Sequence, residues 1–215
     1  MPITILIADD HTLMRQGLRQ ILTQHPEFEV IAEAESGAQA VEAARTLQPD
    51  VAIVDIAMKE LNGIEATAQI ARHAPRTVVL ILSMYSDERY VMRAVRAGAR
   101  GYVLKNSAGE ELAEAIRQVE RGKPYFSPAV SRIFHDGLAR LQDPAGVDDR
   151  YELLTERERH VYQLLAEGNS NKDIANLLNL SLHTVETHRA RIMEKMDIHS
   201  TAELVLSAVR RGLVT

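Results

Sequence analysis

Four stretches of this chain end on residues that could do chemistry together: Asp9-Asp10, Asp55, Ser83 and Lys105. Each follows a short apolar run, Ile3 to Ala8, Val51 to Val54, Thr77 to Leu82 and Gly101 to Leu104, with the composition of a buried strand. In open α/β sheets reactive groups collect at the carboxyl ends of the strands. Two or three carboxylates meeting at such an edge repel, and they stay ionised together only around a shared cation. An acid-rich, all-oxygen site suits Mg2+, which accepts one or two carboxylates and keeps several waters. Lys105 adds a fixed positive charge and Ser83 a hydroxyl, a pair fit to stabilise a transferred phosphoryl group. A carboxylate is a competent phosphoryl acceptor, and Asp55 is the only acid on the middle strand. Taken singly, these residues have plainer readings: Asp55 as a helix N-cap, Ser83 satisfying a backbone donor, Lys105 as a solvated charge. Their combination at four strand ends is what points to chemistry.

The elements that must position them alternate. Strand patterns at 3–8, 28–34, 51–54, 77–82 and 101–104 are separated by helical patterns at 11–25, 38–47, 63–72 and 87–97, and a helix at 108–121 follows the last strand. That alternation predicts a five-stranded parallel, doubly wound α/β domain over 1–122. Gly122 and Pro124 stop its last helix. A further helix is expected over 127–141, followed by a polar linker with Pro144 and Gly146, so that 123–150 joins the first domain to a second at 151–215. There the pattern is wholly helical. Thr155 and Glu158 form a capping box, a short helix spans 171–178, Ser181 opens a helix to about Met196, and Ser200 opens one to Arg211. Four short helices cannot enclose much of a cavity, but they can present one helix outward.

Bulk composition narrows the function. The chain has 215 residues, 46% of them hydrophobic, and no cysteine, so thiolate metal sites and disulfides are excluded. No apolar run approaches membrane-spanning length and no leader-like segment opens the chain, which leads us to expect a cytoplasmic protein with no membrane partner. Net charge is −5, with 13 basic and 17 acidic residues in 1–121 and 8 and 9 in 151–215. Nucleic-acid binding must then come from a local patch.

Ala8-Asp9-Asp10, Val54-Asp55-Ile56, Asn62-Gly63, Ser83 and Tyr102-Val103-Leu104-Lys105 together resemble the receiver domain of bacterial two-component response regulators. The resemblance implies that a sensor histidine kinase phosphorylates Asp55, and that Asp10, Asp55 and the backbone carbonyl of Ala57 hold Mg2+ with Asp9 acting through water. It also implies that Ser83 and Lys105 grip the phosphoryl oxygens and that Tyr102 turns inward when they do. One position departs from the family: Lys59 stands where proline is common four residues after the acceptor. Tyr85 fits two readings, shielding the acyl phosphate from water or packing on the following helix.

On the helix from Ser181, about 100° per residue puts Val185, His188, Ile192 and Met196 on one face. His183, Thr187, Ala190, Arg191 and Glu194 fall on the other, flanked by Glu186, Arg189 and Lys195. The first face should be buried, with His188 at its edge. The second suits a DNA major groove, although a solvated helix face would look similar. Leu154-Thr155-Glu156-Arg157-Glu158, Asn171 to Ala175, Ser181 to His188 and Ala202 to Val205 resemble the LuxR-type helix-turn-helix, the output domain of NarL/FixJ regulators. This implies base contacts from Glu186, Thr187 and Ala190, phosphate contacts from Asn171, Lys172, Thr184 and Arg191, and a homodimer on double-stranded DNA formed through the helix from Ser200.

The expectation is a phosphorylation-gated transcription regulator with at most weak self-catalysed phosphorylation and dephosphorylation of Asp55. An aspartyl-phosphate phosphohydrolase of haloacid-dehalogenase type is the main rival. It needs a second aspartate two residues after the nucleophile, where this chain has Ala57. A second rival has the four helices binding another protein.

Overall fold

The computed structural model describes residues 1–132, 150–211, 213 and 214, with Glu152 and Arg210 in their backbone only. Two compact units divide the chain, Met1–Pro144 and Ala145–Thr215.

In the first unit β1 (Ile3–Ala8), β2 (Phe28–Ala34), β3 (Val51–Asp55), β4 (Val78–Ser83), β5 (Gly101–Leu104) and β6 (Tyr125–Phe126) form one sheet in the order β2-β1-β3-β4-β5-β6. Every neighbouring pair is parallel. Successive side chains on a strand point to opposite faces, and the core divides accordingly. Ile5, Ile7, Ile53, Leu80, Leu82 and Val103 pack with Leu18 and Leu22 of α1 (Thr12–Thr23) and with Leu112, Ile116 and Val119 of α5 (Ala108–Glu120). Leu6, Ala8, Ala52, Val54, Ile81 and Tyr102 instead pack with residues of α2 (Gly37–Leu47), α3 (Gly63–His73) and α4 (Glu88–Ala97). The sheet is therefore covered on both faces, which explains why its central strands carry unbroken apolar runs.

The sheet has six strands where the sequence pattern indicates five. β6 is two residues long and follows Pro124, too short to show any period. It continues the parallel ladder, with Gly101 opposite Tyr125 and Tyr102 opposite Phe126. Ser127 then fastens the chain to β5. Its amide donates to the Tyr102 carbonyl at 2.9 Å, and its hydroxyl accepts from the Leu104 amide at 3.3 Å and donates to Glu111 at 2.5 Å. The Ser127 carbonyl accepts from Val130 and Ser131, opening a helix, α6, described over 128–132. The rest of the helix expected to 141, and the polar linker after it, lie outside the described residues.

The second unit is helical: a 3-10 turn at Arg150–Leu153, then α7 (Glu156–Ala166), α8 (Asn171–Leu178), α9 (Leu182–Met196) and α10 (Thr201–Arg210). Tyr151, Val161, Leu165, Ile174, Val185, Ile192 and Leu204 form its core. Thr155, Ser170, Ser181 and Ser200 each accept from a backbone amide three residues on, starting the four helices. Glu158 does more than close the α7 capping box. Its side chain is 3% exposed and receives the Lys195 ammonium of α9 at 2.6 Å. Burial would raise the Glu158 carboxyl, but the Lys195 and Thr155 hydrogen bonds outweigh it and hold the group below its ordinary 4.5. Lys195→Ala leaves a buried carboxylate without its cation, and should lower stability in urea titrations at pH 7 by about 2–3 kcal/mol. Because the folded pKa is depressed, this contribution is fully present above 4.5 and fades as pH falls through the folded pKa. The variant and the wild type should accordingly converge in acid.

Candidate functional site

The strand order puts β1, β3, β4 and β5 side by side, so their carboxyl ends deliver side chains to one edge. Parallel pairing sets Ala8 beside Val54, Asp55 beside Leu82 and Ser83 beside Leu104. At that edge the Lys105 ammonium lies 2.7 Å from Asp9 Oδ2 and 2.8 Å from Asp55 Oδ2. All three are nearly closed off from solvent, the lysine side chain at 7% and the acids at 1% and 3%. Apart from that ammonium, neither oxygen has a hydrogen-bond donor among the described residues. The Asp55 carboxylate also accepts from the Ala57 amide.

Burial raises the Asp55 carboxyl, and the neighbouring Asp9 charge adds to the rise while Lys105 opposes it. Burial alone would lower Lys105, but the carboxylates of Asp55 and Asp9 outweigh it and keep the ammonium above its usual range. Asp55 is held at a fixed distance from α3 by Gly63. A Cβ at that position would lie 1.9 Å from the Asp55 carbonyl oxygen, closer than any side chain allows. The Gly63 amide meanwhile donates to Ile56 at 2.9 Å, and Asn62 caps α3 by accepting from Ile64 and Glu65.

Asp9, Asp10, His11 and Asp55 each offer a ligand atom, and these atoms lie within 4.8 Å of one another. Three carboxylates against one ammonium leave the cluster with two formal negative charges. The three carboxylates are hard oxygen donors, and Asp10 Oδ1 is buried with only the His11 ring facing it, so these acids fit a hard divalent cation such as Mg2+. His11 did not stand out in the sequence. Its ring nitrogen Nδ1 lies 2.8 Å from Asp10 Oδ1 and 3.1 Å from Asp9 Oδ1, although the side chain is 69% exposed. Its position directly after the acid pair was the available signal.

The Ser83 hydroxyl is fully buried and accepts from the Tyr85 amide at 3.1 Å. The Tyr85 carbonyl in turn accepts from the Tyr102 hydroxyl at 2.6 Å. Tyr102 is fully buried and already inward, and burial pushes its phenol far above the usual range. Of the two readings of Tyr85, packing is the one observed: its ring stacks on Tyr90 of α4, centroids 4.6 Å apart.

In the second unit α8, a turn at Asn179 and α9 form a helix-turn-helix. Val185, Ile192 and Met196 are buried, with His188 half-buried at their edge. His183, Glu186, Ala190, Arg191 and Glu194 are exposed, as is Lys172, while Thr184, Thr187 and Asn171 are half-buried. Thr184 Oγ1 lies 2.7 Å from Ser181 Oγ, and Thr187 donates its hydroxyl to the His183 carbonyl. Arg189 and Lys195, expected to flank the outward face, are half-buried and engaged by neighbours within the unit. Arg189 donates to Thr201 of α10 at 2.8 Å and Lys195 pairs with Glu158.

Comparison with known proteins gives the family. Residues 5–117 match the response regulator receiver domain, and residues 152–208 match the bacterial regulatory proteins of the luxR family. The chain belongs to the NarL/FixJ-type response regulators. It is 38% identical over 213 residues to the oxygen regulatory protein NreC of Staphylococcus carnosus, covering 98% of both chains. It is 36% identical to the transcriptional regulatory protein DegU of Brevibacillus brevis, covering 99% of this chain and 95% of that one. Among solved structures, the RcsB response regulator in complex with DNA is 28% identical with a TM-score of 0.59, over 97% of this chain and 100% of that one. This response regulator is thus a DNA-binding transcriptional regulator of a two-component system. Among its described residues no helix is long and apolar enough to cross a membrane.

Without a cation the response regulator carries buried like charges at this edge, so Asp55→Asn should relieve them. The raised Asp55 pKa means the cost is full above the folded pKa and disappears as pH falls below 3.8. At pH 7 the metal-free variant should melt about 3–5 °C higher than the metal-free wild type. Added Mg2+ should stabilise the wild type more than the variant, and calorimetric scans with and without Mg2+ measure both effects.

Proposed function

We propose that Asp55 is the phosphoryl acceptor of this regulator, charged by a sensor histidine kinase, and that Mg2+ supports the transfer. The observation that carries this reading is the Lys105 ammonium shared by two buried carboxylates at the sheet edge. Asp10, Asp55 and the Ala57 carbonyl would hold the ion, with Asp9 behind them. When bound, it would neutralise charge developing on the phosphoryl oxygens.

An Asp55 oxygen attacks phosphorus and the bond to the donor's imidazole breaks, giving an acyl phosphate. Lys105 then exchanges its Asp55 partner for a phosphoryl oxygen without leaving Asp9. Ser83 can bond a phosphoryl oxygen only by turning its hydroxyl, which releases the Tyr85 amide. Tyr85 also holds Tyr102 and stacks on Tyr90, so that release reaches β5 and α4 together. Phosphorylation thereby shifts the receiver between two arrangements.

In the second half we propose that α9 enters the major groove. Glu186, Thr187 and Ala190 face base edges, and Asn171, Lys172, Thr184 and Arg191 face phosphates. Glu186 would accept from cytosine N4 and Ala190 offers only a methyl contact, so base readout by one helix is sparse. Two protomers pairing through α10, whose Leu206 and Val209 are about half exposed, would supply the rest by fixing half-site spacing. RcsB, a relative, forms dimers on DNA, which supports a dimer as the DNA-bound form. The protein is proposed to be no enzyme beyond slow phosphorylation and dephosphorylation of its own Asp55, and to act in the cytoplasm.

Acetyl phosphate should label the wild type and not Asp55→Asn, with no turnover of p-nitrophenyl phosphate by either; equal labelling of the two would sink the assignment. On a duplex selected from a random pool by the phosphorylated full chain, the logarithm of affinity should fall with log salt. Lys172→Ala and Arg191→Ala should each reduce that slope by about one per protomer, whereas Arg189→Ala, whose cation faces α10, should leave it unchanged.

A further inference from the structure

Arg15 is a charged residue on the wrong face of α1. It precedes Leu18 by one helical turn, so its side chain enters the sheet side of the helix, where it is 6% exposed. Burying a guanidinium is costly unless its donors are satisfied. The Arg15 donors point at the acid pair and its flank. Nη1 donates to the Asp9 backbone carbonyl at 2.8 Å. Nη2 pairs with Glu35, and Nε lies 3.5 Å from Glu33 Oε2. Glu33 is itself held by Arg19 at 2.5 Å.

The carbonyl that Arg15 holds belongs to the peptide joining Asp9 to Asp10. On the other side of Asp9 its amide donates to the Ala34 carbonyl of β2 at 3.1 Å. Beyond Asp10, the His11 amide donates to Asp9 Oδ1 at 2.8 Å. Arg15 therefore fixes the plane of the peptide from which both acid side chains depart. A peptide plane free to rotate would carry both carboxylates off their positions facing Asp55 and Lys105. We propose that Arg15 is the positioning residue of the cation site: it acts through the Asp9-Asp10 peptide and tunes cation affinity without touching the ion. Glu35 engages Nη2, and Glu33 faces Nε as an ion-pair neighbour without hydrogen-bonding it. The proposal rests on the reading of the acid cluster as a Mg2+ site.

The test is calorimetric titration of the full chain with MgCl2 at a temperature well below unfolding, on wild type, Arg15→Lys, Arg15→Met and Leu22→Ala. Lysine keeps the charge but cannot reach the carbonyl and both glutamates at once. Both Arg15 variants should bind Mg2+ at least about tenfold more weakly, the scale of losing a group that orients a metal ligand. Leu22→Ala should lower the melting temperature with Mg2+ affinity unchanged, since it only opens a cavity on the same helix. In acetyl phosphate labelling, the Arg15 variants should need about tenfold more Mg2+ for half-maximal rate, with the rate at saturating Mg2+ within about threefold of wild type. Folded Arg15 variants with wild-type Mg2+ affinity would overturn the proposal. Should neither fold, Glu35→Gln decides: it loosens Arg15 from the exposed side and should weaken Mg2+ about threefold, and no change would overturn the proposal equally. A wild type that binds no Mg2+ would instead remove the cation site itself, and this proposal with it.

Discussion

Two carboxylates from different strands sit side by side in the interior because one ammonium lies between them. The Lys105 contacts to Asp9 and Asp55 are short and screened from water, so their attraction exceeds that of an exposed pair while burial of the charges sets a cost against it. The contacts also tie β5 to β1 and β3 across the breadth of the sheet. Removing the lysine would leave buried like charges facing each other. The residual negative charge at the edge is what makes it receptive to a divalent cation.

Much of this edge is legible in the sequence because the strands advertise themselves. Val51 to Val54 and Ile5 to Ala8 are apolar on every residue, a pattern that a doubly covered strand needs, and the residue after each run is then at the sheet edge. Burial alternation also identifies the outward face of α9, where Glu186, Ala190 and Arg191 are exposed. The features that escape such reading depend on partners that the fold, and not helical or strand spacing, brings into contact. Arg189 and Lys195 look like outward cations by spacing, yet Thr201 and Glu158 engage them. Arg15 interrupts an apolar stripe, and only the fold reveals that its target is a backbone carbonyl. The stacking of Tyr85 on Tyr90 is a contact that spacing alone does not specify.

Those engaged cations change the electrostatic character of the helix-turn-helix. Lys195 neutralises a carboxylate that also starts α7, so one charge pair joins α9 to α7 at the capped end of that helix. The outward face is left with few positive charges and an exposed glutamate on either side of Ala190, at 186 and 194. A chain of net charge −5 has little indiscriminate attraction for a polyanion.

The sixth strand has a consequence for where the first unit can be cut. A break at residue 122 looks natural, since a helix stops there, but it would strip Tyr125 and Phe126 from the ladder. The backbone of β5 on that side, which includes the Tyr102 carbonyl and the Leu104 amide, would then become an open sheet margin, inviting another chain to dock along it. Fragments that end after the Ser127 fastening keep that margin closed, so the two kinds of truncation would differ in self-association although they differ by only a handful of residues.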